Sequence, residues 1–190
     1  YYRNNQVLRD GDLVLMDYAP DYNCYTSDIG RMWPVNGVYS PWQRELYGYI
    51  VEYHKVLLGL IRPGRLALEV EEEAAALMRS VVEDTPWSKA SFRQAALNTL
   101  DFHGHLSHGV GMAVHDVWNY REEPLRPGVV FAVDPQMWDR EEQLYIRVED
   151  TVVVTDSGCD NLTAAVPLEL DDIENLMADP GLLQQVPPLS

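Results

Sequence analysis

The stretch that most limits how this chain can fold is Leu13 to Asp28, LVLMDYAPDYNCYTSD. Two apolar, β-prone runs flank the turn-forming segment Ala19-Pro20-Asp21-Tyr22-Asn23, a pattern that predicts a hairpin. With the turn centred between Tyr22 and Asn23, positions whose numbers sum to 45 face each other, and Asp17 and Asp28 form such a pair. Directly opposed residues hold their Cβ atoms about 4.5–5.5 Å apart, and like charges ~5 Å apart at an effective dielectric of ~20 repel by about 3 kcal/mol. A hairpin that presses two carboxylates together calls for something positive between them. The competing reading is solvent-facing charge, since Asp is common near turns.

A second stretch weighs against that reading. Residues 129–154, VVFAVDPQMWDREEQLYIRVEDTVVV, again set two β-rich runs around a polar turn, Asp139 to Gln143. With the centre between Glu141 and Glu142, opposed positions sum to 283, and Asp134 and Glu149 are opposed. Two hairpins with a carboxylate pair at the same logical place read as halves of one four-carboxylate site.

Between the hairpins the pattern turns helical. Ser40-Pro41-Trp42-Gln43 is a helix start, with Ser as N-cap, Pro at the first helical position and Gln three residues after the cap. Leu46, Ile50, Tyr53, Leu57 and Leu60 form one apolar stripe, with His54 beside it as a packing or surface residue, and Arg62-Pro63-Gly64 ends the helix. A second helix is expected over Ala67–Val82, where the Glu69, Glu71, Glu72 and Glu73 run complements the helix dipole and needs no metal. Ser88–Leu100 and Asp171–Met177 are further short helices, and the tail from Asp179 to Ser190 is expected to lack regular structure. Residues 1–178 therefore read as one domain and 179–190 as a tail.

The formal net charge of −16, from 30 acidic against 14 basic residues, argues against nucleic acid or an anionic membrane as partner. No apolar run is long enough to span a bilayer. Two cysteines, Cys24 and Cys159, make no disulfide framework and suit a reducing compartment, which points to the cytoplasm.

The segment Phe102 to Asp116, FHGHLSHGVGMAVHD, holds four of the five histidines. A His-rich surface loop is one reading. The other is a short strand over Val110–Val114 carrying His108 at one end and His115 at the other. One imidazole with four carboxylates is a hard ligand set, suited to Mn²⁺, Mg²⁺, Co²⁺ or Zn²⁺ more than to copper or iron–sulfur. Arg147 lies two residues before Glu149, so strand alternation puts both on one face.

The segments MDYAPDYNCYTSDIGRMWPV, LSHGVGMAVHD, FAVDPQMW and IRVEDTVVVTDSGCDNLT, in this order and spacing, resemble the metal-binding half of the Xaa-Pro aminopeptidase, prolidase and methionine aminopeptidase family, and the Xaa-Pro branch above all. The resemblance runs from about Asn4 to Met177. It implies the α+β pita-bread fold, a curved antiparallel sheet with helices on its outer face. It further implies that Asp17, Asp28, His108, Asp134 and Glu149 bind two divalent ions, Mn²⁺ ahead of Co²⁺ or Zn²⁺, with Asp28 and Glu149 bridging. Asp134 would accept the proton of the attacking water. His115 would stabilise the oxyanion or touch the peptide substrate. Arg147 would touch substrate or form an ion pair with the carboxylates. Asn161-Leu162-Thr163 belongs to the family pattern as a turn.

The chain departs from that pattern in four places. Asp134 stands where Glu is usual, one methylene short, and Gly30 where Thr is usual. Gly104, flanked by His103 and His105, replaces an auxiliary His four residues before His108. A substrate-binding His would fall just before Tyr1, so the chain is expected to be a C-terminal portion of the catalytic domain, associating with a second copy or with a chain that supplies the rest of the cleft. The implied activity is hydrolysis of a peptide bond near a free N-terminus. The alternatives are a non-catalytic peptide- or protein-binding module on the same fold and a small-molecule C–N hydrolase. Both are disfavoured because ligand-capable side chains stand at all five positions.

Overall fold

The computed structural model describes residues 5–186. Its strands and helices follow in the order β1 (Leu13–Tyr18), β2 (Asp21–Tyr22), β3 (Tyr25–Thr26), β4 (Ile29–Pro34), α1 (Pro41–Leu60), α2 (Ala67–Asp84), α3 (Ala90–Leu100) and β5 (Leu106–Gly109). The chain continues through β6 (Val130–Val133), β7 (Gln136–Asp139), β8 (Leu144–Arg147), β9 (Asp150–Val154), β10 (Cys159–Asn161), α4 (Leu170–Ala178) and α5 (Leu182–Gln185).

The second hairpin has the register read from its sequence. Val130↔Val153 through Val133↔Asp150 join β6 to β9, and Gln136↔Arg147 through Asp139↔Leu144 join β7 to β8, every pair summing to 283. Asp134 and Glu149 fall between these ladders, where Pro135, which lacks an N–H, interrupts the pairing. There β4 joins the second hairpin: Gly30 and Glu149 exchange backbone hydrogen bonds of 3.1 and 3.0 Å.

The first hairpin corrects the expectation by one turn position. Its pairs, from Leu13↔Pro34 to Tyr22↔Tyr25, sum to 47, so Asp17 opposes Gly30 rather than Asp28. The turn is centred on Asn23 and Cys24, whose φ of 50° and 65° are the two positive values that a tight primed turn demands. Moving the sum by two keeps side-chain parity, so Asp17 and Asp28 remain on one face as diagonal neighbours.

Helix α1 packs on β6 and β8 and helix α3 on β7, with α2 against α1 and α3. Leu46, Ile50, Tyr53 and Leu57 of α1 are buried, with Val70, Ala74 and Met78 of α2 and Phe92 and Ala96 of α3 in the same core. At the start of α1 one half of the expected box is present, Gln43 Oε1 accepting the Ser40 N–H at 2.8 Å.

Two further expectations are corrected. Val110–Val114 is not a strand; the strand lies earlier, as β5, and carries His108. After it the chain closes into a loop on Asp116, whose carboxylate accepts the N–H groups of Met112 at 2.8 Å and Val117 at 2.7 Å. A Cβ on Gly109 would stand 2.9 Å from Cβ of Trp118, so the loop closes only because that side chain is absent. In the tail, Leu182–Gln185 forms one helical turn. The expectation for Pro187, Pro188 and Ser190 lies outside the described residues, as do Tyr1 and Asn4.

Candidate metal centre

The two hairpins and β5 bring their polar side chains to one cavity of about 480 Å³, walled by Asp17, Asp28, His108, His115, Asp134 and Arg147. Thr151 pins Asp28 in place: its hydroxyl accepts the Asp28 N–H and donates to the Asp28 carbonyl, both at 2.8 Å. The Asp134 N–H donates to the His105 carbonyl at 2.7 Å, which ties the second hairpin to the His segment, and the Thr26 N–H donates to Gly111 at 2.7 Å, which ties in the first.

Carboxylate oxygens of Asp17, Asp28 and Glu149 lie within 4.8 Å of one another, as do ligand atoms of Asp28, His108 and His115. His108 Nε2 stands 3.5 Å from Asp28 Oδ2 and 3.9 Å from Glu149 Oε1. Its Nδ1 lies 3.2 Å from the Gly109 carbonyl, so Nδ1 carries the proton and Nε2 offers its lone pair to the cavity. The His115 ring stacks on that of His108 at 3.8 Å. Asp134 belongs to neither group. Its carboxylate faces Arg147, whose guanidinium reaches Asp134 at 2.9 Å, Asp17 at 2.8 Å and Glu149 at 2.6 Å.

Burial sets the electrostatics. Asp28, Asp134 and Glu149 are only 4%, 2% and 0% exposed. Desolvation, reinforced by Asp17, pushes Asp28 up to about 7. Desolvation pushes Asp134 to about 7 against the pull of Arg147, and desolvation with the neighbouring Asp134 and Asp28 pushes Glu149 to about 9. One guanidinium is not enough countercharge for this many carboxylates.

Several residues at this site escape sequence reading. Gln136 donates from Nε2 to Asp134 Oδ2, and Tyr145 donates its hydroxyl to Gln136 Oε1 at 3.0 Å. The register sum of 283 sets Gln136 opposite Arg147 and was the available signal. Behind the site, Asp150 is buried between His54 Nε2 at 2.8 Å, Arg31 Nη2 at 2.7 Å and the Thr163 hydroxyl at 2.5 Å. Burial raises Asp150, but these partners prevail and hold it at about 2. Glu71 is buried and accepts the Leu106 N–H at 2.9 Å, so one member of the Glu run holds β5 rather than serving the helix dipole. Neither histidine beside Gly104 takes the place of the auxiliary His: His103 is exposed, and His105 is buried with Nε2 on the Thr99 carbonyl at 3.0 Å. In the Asn161-Leu162-Thr163 turn, Asn161 Oδ1 accepts the Thr163 N–H at 2.9 Å.

The fold and this cavity define a pita-bread protein with a carboxylate-rich site for divalent cations. The profile of metallopeptidase family M24 matches residues 1–156, and the chain belongs to that family. It is 38% identical over 192 residues to the Xaa-Pro aminopeptidase of Escherichia coli (strain K12), covering 93% of this chain and 43% of that protein. It is 36% identical to Xaa-Pro aminopeptidase 3 of Mus musculus, covering 93% of this chain and 37% of the relative. Zn-substituted Escherichia coli aminopeptidase P in complex with product matches with a TM-score of 0.78 at 37% identity, over 93% of this chain and 43% of that one. The chain thus spans less than half the length of these relatives.

The residues present fit divalent metal ions. Asp28 Oδ1 and Glu149 Oε1 are buried and have no hydrogen-bond partner among the described residues. A buried carboxylate oxygen without a donor costs about 1–3 kcal/mol or more, and a bound cation between Asp28 and Glu149 removes that cost.

Proposed function

We propose that this chain carries the metal centre of a peptidase that cleaves a peptide bond close to a free N-terminus, of the Xaa-Pro aminopeptidase or Xaa-Pro dipeptidase type. The relatives named above support the Xaa-Pro preference, and the two orphaned oxygens of Asp28 and Glu149 carry the metal dependence. In this reading Asp17, Asp28, His108, Asp134 and Glu149 would hold two divalent ions, and Mn²⁺ is the metal that the oxygen-rich set would favour. When bound, such a pair supplies Lewis acidity and a water acidic enough to attack at neutral pH.

The chain's own residues do the rest. Asp134, on the cavity wall with its two oxygens held by Arg147 and Gln136, takes the proton of the attacking water. His115, exposed on the cavity side of His108, donates to the developing oxyanion. Arg147 balances the carboxylates and keeps Asp17, Asp134 and Glu149 converging. Among the described residues no helix is long and apolar enough to cross a membrane. Cys24 and Cys159 are free thiols, which suits a cytoplasmic site of action. The partner expected besides the peptide is a second copy, or a chain that completes the cleft.

The test is elemental analysis and Mn²⁺ titration of the 190-residue chain, followed by an assay for release of the N-terminal residue from an Xaa-Pro peptide, by this chain and by a version extended upstream. Two ions bound with Xaa-Pro cleavage by the longer protein supports the reading. Peptide binding without cleavage or metal identifies a binding module and refutes it.

A further inference from the structure

We propose that Gln136 is a positioning residue for this centre: it fixes the Asp134 carboxylate in the orientation that serves a metal ion, and Tyr145 fixes Gln136 in turn. The inference rests on the metal-dependent reading above. Gln136 lies two residues after Asp134 and directly opposite Arg147 in the β7–β8 ladder, so alternation aims it at the same cavity as Asp134. Its Nε2 donates to Oδ2 of Asp134, while Arg147 Nε donates to Oδ1 at 2.9 Å. Each oxygen of Asp134 therefore accepts one hydrogen bond and keeps a lone pair free.

The amide has one workable orientation. Turned over, it would set Oε1 against a carboxylate oxygen, and the Tyr145 hydroxyl on Oε1 at 3.0 Å holds it the other way. That hydroxyl is itself held, because the Tyr145 ring stacks on Trp138 at 5.4 Å and Trp138 meets Phe102 edge-on at 5.3 Å. Without Gln136, the short Asp134 side chain has only Arg147 to follow, and the guanidinium is also bound to Asp17 and Glu149. A neutral donor on the second oxygen opposes that collapse without adding charge.

Calorimetric titration of Mn²⁺ into the 190-residue chain, with melting temperature recorded alongside, tests this in wild type, Gln136→Ala, Tyr145→Phe and the double variant Gln136→Ala/Asp134→Glu. In Gln136→Ala the weaker of the two ions is expected to bind about 10–100-fold less tightly, with the tighter ion unchanged. Tyr145→Phe should show a smaller loss at the same ion. The longer carboxylate of the double variant should recover most of the affinity. An unchanged second ion in Gln136→Ala overturns the inference. So does equal weakening of both ions in step with melting temperature, which is what a merely structural role gives. A wild type that binds no Mn²⁺ overturns the functional reading and this inference with it, whereas two ions in wild type and an indifferent Gln136→Ala overturn this inference alone.

Discussion

Replacing Arg147 with Met removes the guanidinium that, alone among the described residues, pairs with Asp17, Asp134 and Glu149, while keeping a side chain that fills part of the space. The side chains of Arg147, Asp134 and Glu149 are 12%, 3% and 0% exposed, so two of the three ion pairs of Arg147 are desolvated. Asp17 is a third exposed, and its pair adds little. Breaking a buried pair from one side costs about 3–5 kcal/mol. The cost does not double with the second carboxylate, because carboxylates left without the cation respond by holding protons. In a domain of this size each kcal/mol moves the melting temperature by roughly 2–4 °C, so metal-free Arg147→Met should melt about 6–20 °C below wild type. With saturating Mn²⁺ the ions supply the missing countercharge, and the deficit should shrink to that of lost hydrogen bonds, about 1–2 kcal/mol. Arg147→Lys, which keeps the charge and loses the planar fork, should fall between the two. The assay is thermal unfolding followed by circular dichroism, in chelator and in Mn²⁺. An equal deficit in both conditions would show that Arg147 acts by packing and that the cavity is no cation site.

Two further predictions concern groups that hold the site from behind. Burial, against the pull of the Thr99 carbonyl, lowers buried His105 to about 4. The unfolded chain therefore takes up a proton near pH 6.5 while the native state does not, and stability falls as pH drops from about 6.5 to about 4, by roughly 3 kcal/mol in all. Urea unfolding of wild type against His105→Gln across that range isolates this contribution from the cavity carboxylates, which titrate in the opposite sense; parallel curves would refute it. Glu71→Ala leaves the Leu106 N–H without its acceptor and should cost about 1–3 kcal/mol, loosening β5 and with it His108. Hydrogen exchange at the Leu106 amide reads this directly, and unchanged protection there would contradict the role given to Glu71.

Legibility in the sequence followed the range of the interaction. The second hairpin could be read from Val130 to Val154 because one register runs through both ladders, so register and alternation put Asp134, Arg147 and Glu149 on the same face, although Gln136, opposite Arg147, was passed over. In the first hairpin the sequence reading centres the turn on Tyr22-Asn23, one position before its place at Asn23-Cys24, and the wrong centre still keeps Asp17 with Asp28 because the register sum moves by two. Side chains whose partners lie far along the chain gave no such signal. Asp150 finds Arg31 across 119 residues and His54 across 96, and Glu71 reaches Leu106 across 35. For the same reason local pattern did not sort the histidines, and only the family resemblance singled out His108: His105 and His108 are three positions apart, yet one packs against Tyr53 and Phe102 in the core and the other faces the carboxylates.

Gly30 shows where local reading ends and assembly begins. In sequence it is one glycine in a β-prone run. In the fold it is the seam at which the two hairpins become one site, paired with Asp17 on one side and bonded through its backbone to Glu149 on the other. A Cβ there would stand 3.0 Å from Cβ of Glu149 and 3.3 Å from its Oε2, tighter than ordinary packing allows. A side chain at position 30 asks Glu149 to give by a few tenths of an ångström, so Gly30 lets β4 approach the carboxylate that stands between Asp28 and Arg147 without that adjustment.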